Sequence, residues 1–99
     1  MEEIIKWSNP EIAQENAYNY LGSDAHLYLS NRKGKKFKII DMNTNKFVHF
    51  GSLGYEDYTK HNDIARRNKY LARATKIKGD WKDNPYSPNI LSLKILWNW

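Results

Sequence analysis

The sequence predicts an α+β domain built from an N-terminal helix, a three-stranded antiparallel meander, a basic helix and an apolar C-terminal helix. Three observations carry this expectation. A cap-and-proline helix start occurs at Ser8-Asn9-Pro10-Glu11 and again at Ser87-Pro88. Between residues 26 and 50, short runs of β-favouring residues alternate with turn formers, and beyond residue 60 the basic residues fall at helical spacings. The 99 residues are 40% apolar and 27% charged, which suits a single domain over residues 1–99 with one modest core and disfavours a disordered chain.

The first helix starts with Ser8 or Asn9 as cap, proline in its first turn and Glu11 beside its N-terminus, and it ends at Gly22. Ile12, Ala13, Ala17, Tyr20 and Leu21 form its apolar stripe. His26–Ser30 reads as a strand with Leu27 and Leu29 on one side. The basic turn Asn31–Lys35 follows, then a strand over Lys36–Met42, the turn Asn43-Thr44-Asn45 and a third strand over Lys46–Phe50. Phe37 and Ile39 share a face; on the third strand either Phe47 and His49 or Lys46, Val48 and Phe50 face the core.

Gly51-Ser52-Leu53-Gly54 breaks that strand. A short helix is expected within Tyr55–His61, and a longer one, capped by Asn62 or Asp63, over Ile64–Thr75; the two are equally compatible with one continuous helix. Ile64, Leu71 and Ala74 or Thr75 make the narrow apolar side of the longer helix, and its basic residues fan around the rest. Gly79 is its expected stop. The Asp80–Asn89 stretch is irregular and anchored by Trp81 and Tyr86, and Ile90, Leu91, Leu93, Ile95, Leu96 and Trp97 make a closing helix dense enough to be core.

Charge narrows the function. Residues 1–24 sum to −4, whereas the remainder sums to +9. Most of the excess lies in two clusters, Arg32, Lys33, Lys35, Lys36 and Lys38, and the run from Lys60 through Arg66, Arg67, Lys69, Arg73 and Lys76 to Lys82. A polyanion is the natural partner of such a field, and the alternative is a solvated basic surface with no partner. The absence of cysteine excludes disulfides, thiolate metal sites and cysteine nucleophiles. No run approaches the length of a membrane span, and Met1–Lys6 lacks the basic-then-apolar order of a signal peptide, so a soluble intracellular protein with no membrane contact is expected.

Catalysis is not expected. His26, His49 and His61 are scattered and lack the four-residue helical spacing of a zinc pair, and the glycines do not form a phosphate-cradling loop. The order of His49, the glycine loop and a segment with Asp57, His61, Asn62 and Asp63 is loosely that of a ββα-metal nuclease, without its paired helix ligands. No cofactor or metal is called for. The nucleic-acid-binding candidates are Arg32, Lys33, Lys35, Lys36, Lys38, Arg66, Arg67, Lys69, Arg73 and Lys76, with lysine as a point charge and arginine able to grip phosphate in two places. Tyr58, Tyr70 and Phe50 are candidates for base stacking, although rings at these spacings more often belong to a core.

The strings His49-Phe50-Gly51, Tyr55–His61, Arg66-Arg67, Tyr70-Leu71 and Arg73, with Ile77–Trp81, Asn84–Pro88 and Leu96-Trp97, resemble a family of small basic proteins encoded by large DNA viruses of protists and algae. The resemblance implies a virion or viral factory, where such proteins package genome or fit between capsid parts. It assigns no catalytic residue. Non-specific DNA is the expected partner, with other virion proteins as the alternative.

Overall fold

The computed structural model describes residues 2–99, and the side chains of residues 4–99. A one-turn helix, α1 (Glu2–Ile5), precedes the predicted first helix and buries Ile4. That first helix, α2 (Pro10–Leu21), is capped by Asn9, whose Oδ1 accepts the N–H groups of Glu11 and Ile12 at 3.1 and 3.3 Å. Ser8 is drawn inside instead, with its hydroxyl 3.0 Å from Thr59 Oγ1. Ala13 and Ala17 are fully buried, and such small side chains let the C-terminal segment come close enough for Asn16 Nδ2 to donate to the Ile95 carbonyl at 2.9 Å.

Three antiparallel strands follow in the order β1 (Tyr28–Leu29), β2 (Lys35–Asp41), β3 (Lys46–Ser52). The first is shorter than the expected His26–Ser30 because Gln14 captures its approach. Gln14 Oε1 accepts the Leu27 N–H at 2.8 Å and Nε2 donates to the Ala25 carbonyl at 2.7 Å, so this stretch is tied to α2 rather than laddered to β2. The third runs two residues beyond the expected end, since Ser52 still pairs with Lys35. Phe37 pairs with Phe50 and Ile39 with Val48 on the core face, while Lys38 pairs with His49 and Ile40 with Phe47 on the other. Phe37, Ile39 and Phe50 are buried, so Phe47 and His49 are the outward pair.

Beyond the sheet, two separate helices replace the option of a continuous one: α3 (Tyr58–His61), capped by Asp57, and α4 (Ile64–Ala74), capped by Asp63. The break falls at Asn62, which is left-handed with φ of 55°. α4 stops well before Gly79. The Thr75 hydroxyl donates back to the Leu71 carbonyl at 2.6 Å, and Lys76 and Ile77 bond three residues back, a tightening that ends the helix. After a 3₁₀ turn at Trp81–Asp83 comes α5 (Pro88–Leu91), capped by Ser87.

α5 widens into a π-type turn over Ser92–Leu96, closed by Trp97 N–H on the Ser92 carbonyl at 3.2 Å. Ile90, Leu91, Leu93, Ile95, Leu96 and Trp97 are all buried, as the sequence leads one to expect, and the segment packs against α2 and β3. The architecture is α+β, with the sheet and the N- and C-terminal helices around one core.

Candidate nucleic-acid interface

α4 is built from good helix formers with no β-branched residue after Ile64. Its inward face is Arg67, Tyr70, Leu71 and Ala74, at helical steps of three, one and three, and all four are at least half buried. Ile64, expected on the apolar side, is 54% exposed because the protein offers it no facing surface. This rotation reorganises the basic residues. Arg66, Lys69 and Arg73, three and four residues apart, fall along one edge rather than fanning around the helix, over about 10 Å of axis.

That edge is one wall of an open cleft of ≈ 1020 Å³. The facing wall is Lys35 and the Gly51–Asp57 segment, with Tyr55 at the rim and 73% exposed. The floor comes from α5 and its continuation, through Pro88, Ser92, Leu96 and Trp97. Lys35 of the first basic cluster and Arg66, Lys69 and Arg73 of the second, about thirty residues on in sequence, thus line one concave surface. Arg66 Nη1 reaches Glu56 Oε1 across it at 3.3 Å, a partly exposed pair. Among the described residues the ion pairs are this one and Lys36–Asp57, which leaves Lys35, Lys69 and Arg73 as cations without a carboxylate partner.

Aromatic rings set this cationic edge on a rigid base. Tyr70 stacks on Trp97 with centroids 4.0 Å apart and planes 7° off parallel, and the Arg73 guanidinium lies 5.8 Å from the Tyr70 centroid. Burial raises the Tyr70 phenol above its ordinary pKa, with Arg73 opposing. Tyr70 and Tyr58 are half buried and Phe50 is fully buried, so the three rings named as stacking candidates serve packing instead.

Two of the predicted contact residues are structural. Lys36 belongs by alternation to the outward series of β2, yet it is 3% exposed because Trp7 and Tyr55–Asp57 close over that end of the sheet. Its Nζ donates to Asp57 Oδ2 at 2.8 Å and to the Tyr55 carbonyl at 2.7 Å. Desolvation lowers its pKa, against the pull of Asp57. Arg67 turns inward, donating from Nε to the Trp97 carbonyl and from Nη2 to the Asn98 carbonyl, both at 2.8 Å, with its guanidinium 5.5 Å from the Tyr58 ring centroid. Neither charge is presented to a ligand. A one-dimensional pattern does not show which cation of a run points inside.

Arg32, Lys33 and Lys76 are exposed outside the cleft, and Lys38 lies on the outer face of the sheet with its Nζ 4.4 Å from the Phe47 centroid. His49 Nδ1 is 2.6 Å from Ser30 Oγ, while His61 packs against Trp97 at 5.3 Å and accepts the Asp63 N–H on Nδ1 at 2.9 Å. Of the two carboxylates of the nuclease-like order, Asp57 is committed to Lys36 and to the Thr59 hydroxyl, and Asp63 caps α4 by accepting the Arg66 N–H at 3.2 Å. Among the described residues, no three His, Asp or Glu side chains are grouped so as to hold a metal ion, and no helix is long and apolar enough to cross a membrane.

Comparison with curated proteins and with solved structures gives no match. Residues 25–74 match a family whose description is a family of unknown function, DUF5754; the stretch includes the three strands, α3 and α4, and therefore both walls of the cleft but not its floor. The chain belongs to the DUF5754 family.

Proposed function

We propose that this protein binds nucleic acid without reading its sequence, holding the phosphate backbone in the cleft between α4 and Lys35 with the Gly51–Asp57 segment. The observation that carries the reading is the single edge of Arg66, Lys69 and Arg73 facing Lys35 across a concave surface. Three of these cations lack a carboxylate partner among the described residues, so binding a polyanion would neutralise them without first breaking an ion pair. An open cleft suits an extended ligand, and the mix of lysine and arginine suits phosphate rather than base edges. The protein acts here as a binder and not as an enzyme. In the viral setting that the family resemblance implies, this chemistry fits genome packaging in a virion or viral factory.

Fluorescence anisotropy with short DNA duplexes of unrelated sequence, titrated at several salt concentrations, tests the reading. Lys69→Gln and Arg73→Gln should weaken binding equally for all sequences, and each should reduce the slope of log affinity against log salt by about one. Lys46→Gln, at the end of β3 opposite the cleft, should change neither. Undiminished affinity and an unchanged slope in the Lys69→Gln/Arg73→Gln protein would overturn it. Loss of co-assembly with an acidic virion protein in that variant, at constant DNA affinity, would assign the cleft to a protein partner.

A further inference from the structure

Beyond Lys36 and Gly51, which line the cleft, the outer face of the sheet lies outside it and has its own chemistry. Its strand positions are Tyr28 on β1, Lys38 and Ile40 on β2, and Phe47 and His49 on β3, with no carboxylate among them. Tyr28 is 50% and Phe47 44% exposed, although both are large rings that a small protein ordinarily buries. They lean together over β2 in an edge-to-face pair with centroids 5.8 Å apart and planes at 89°. Lys38 Nζ stands 4.4 Å from the Phe47 centroid. Positive charge converges on this face: besides desolvation, the fields of Arg32, Lys38 and Lys35 hold His49 below its ordinary pKa.

We propose that this face is a contact for single-stranded nucleic acid, with unpaired bases stacking on Tyr28 and Phe47 and the backbone phosphates held by Lys38 and Arg32. The proposal rests on the nucleic-acid reading of the protein but uses residues outside the cleft. Lys38 lies over one face of Phe47 and the two rings meet edge to face, but the half-exposed remainder offers π-surface that only unpaired bases have free faces to meet; a duplex keeps its bases stacked on one another. A second copy of the chain is a poor occupant. A two-fold contact through this patch would set Arg32 and Lys38 against the same cations of the other copy.

The test compares binding of fluorescent oligo-dT and oligo-U with binding of a hairpin duplex. The proteins are wild type, Tyr28→Leu/Phe47→Leu, Lys38→Gln and the Lys69→Gln/Arg73→Gln cleft variant. Leucine keeps the apolar cover while removing the rings, and a thermal melt checks that each protein is folded. Base–aromatic stacking is worth about 5- to 150-fold in affinity per ring, so the ring variant should lose at least that for the single strands and nothing for the duplex. Lys38→Gln should lower single-strand affinity and its salt slope with the rings intact. His49 offers a second readout, because phosphates arriving beside Arg32 and Lys38 should raise its titration midpoint in NMR spectra on single-strand addition.

Single strands bound as tightly by the ring variant as by wild type would overturn the proposal. So would loss of single-strand binding only in the cleft variant, which would leave the cleft as the sole interface. Duplex binding without any single-strand binding would also overturn it while leaving the proposed function standing, whereas binding of neither would sink both. A concentration-dependent dimer dispersed by Tyr28→Leu/Phe47→Leu, with no single-strand affinity, would reassign the face to self-association.

Discussion

Lys36 on β2 and Asp57 ahead of α3 form an ion pair of 2.8 Å with side chains 3% and 1% exposed, which ties the sheet to the start of α3. Asp57 also accepts from the Thr59 N–H at 3.0 Å, and Thr59 Oγ1 accepts the Asn9 N–H at 2.9 Å, so one polar network joins three elements. Removing either partner leaves the other charge buried. Lys36→Met and Asp57→Asn should each destabilise the fold by about 3–5 kcal/mol, whereas Lys36→Met/Asp57→Asn should cost clearly less than the two single changes added together. Urea unfolding of the four proteins checks this; additive costs would mean that the pair is not coupled.

Gly51 and Gly54 give a controlled comparison of backbone strain with steric space. Both have positive φ, at 80° and 96°. A Cβ on Gly51 would lie 2.8 Å from Leu96 Cδ1 and 3.1 Å from Lys36 Cβ, whereas one on Gly54 would meet nothing within 4 Å. Gly54→Ala should therefore cost only the left-handed strain of about 1–2 kcal/mol. Gly51→Ala should cost more, because it also pushes on the buried Leu96. Equal melting temperatures for the two variants would contradict this account.

Arg67 and its neighbours should separate folding from binding. Arg67→Gln breaks two charge-assisted bonds to the backbone of Trp97 and Asn98 and should lower stability by about 1.5–3 kcal/mol. Lys69→Gln and Arg73→Gln, on the exposed edge, should stay within about 0.5 kcal/mol of wild type while weakening polyanion binding. Denaturant midpoints and salt slopes measured on the same samples would distinguish the two classes.

Acid should weaken the fold through His61. Its Nδ1 accepts the Asp63 N–H, and its Nε2 is buried with no partner among the described residues, an arrangement that favours the neutral ring. Burial, then the charge of Arg66, lowers its pKa, with Glu56, Asp63 and Asp57 opposing. The unfolded chain, with histidine near about 6.5, then binds more protons than the folded one. The stability due to neutral His61 is therefore fully present above about pH 6.5 and is lost as pH falls through the lower folded value. Urea midpoints should drop as the pH falls below about 6.5, and His61→Asn should flatten that drop; His49, shifted the same way, leaves a residual slope. A pH dependence unchanged in His61→Asn would refute the assignment.

The sequence alone determined the features that local chemistry controls. Helix starts at Pro10 and Pro88, the strand order and the densely apolar closing segment follow from caps, alternation and turn residues, which act over a few residues and need no distant partner. The charge of the site was equally legible, since Arg66, Lys69 and Arg73 sit in a run no core could absorb whole. Which side of α4 turns inward was not. It depends on Trp97 presenting a ring to Tyr70 and two carbonyls, its own and that of Asn98, to Arg67, groups about thirty residues away. The shortening of β1 by Gln14 and the burial of Lys36 opposite Asp57 are likewise decided by contacts across the fold. A backbone amide or a lysine has several possible partners in the open chain, and the competition among them is settled only when tertiary packing removes water from all but one.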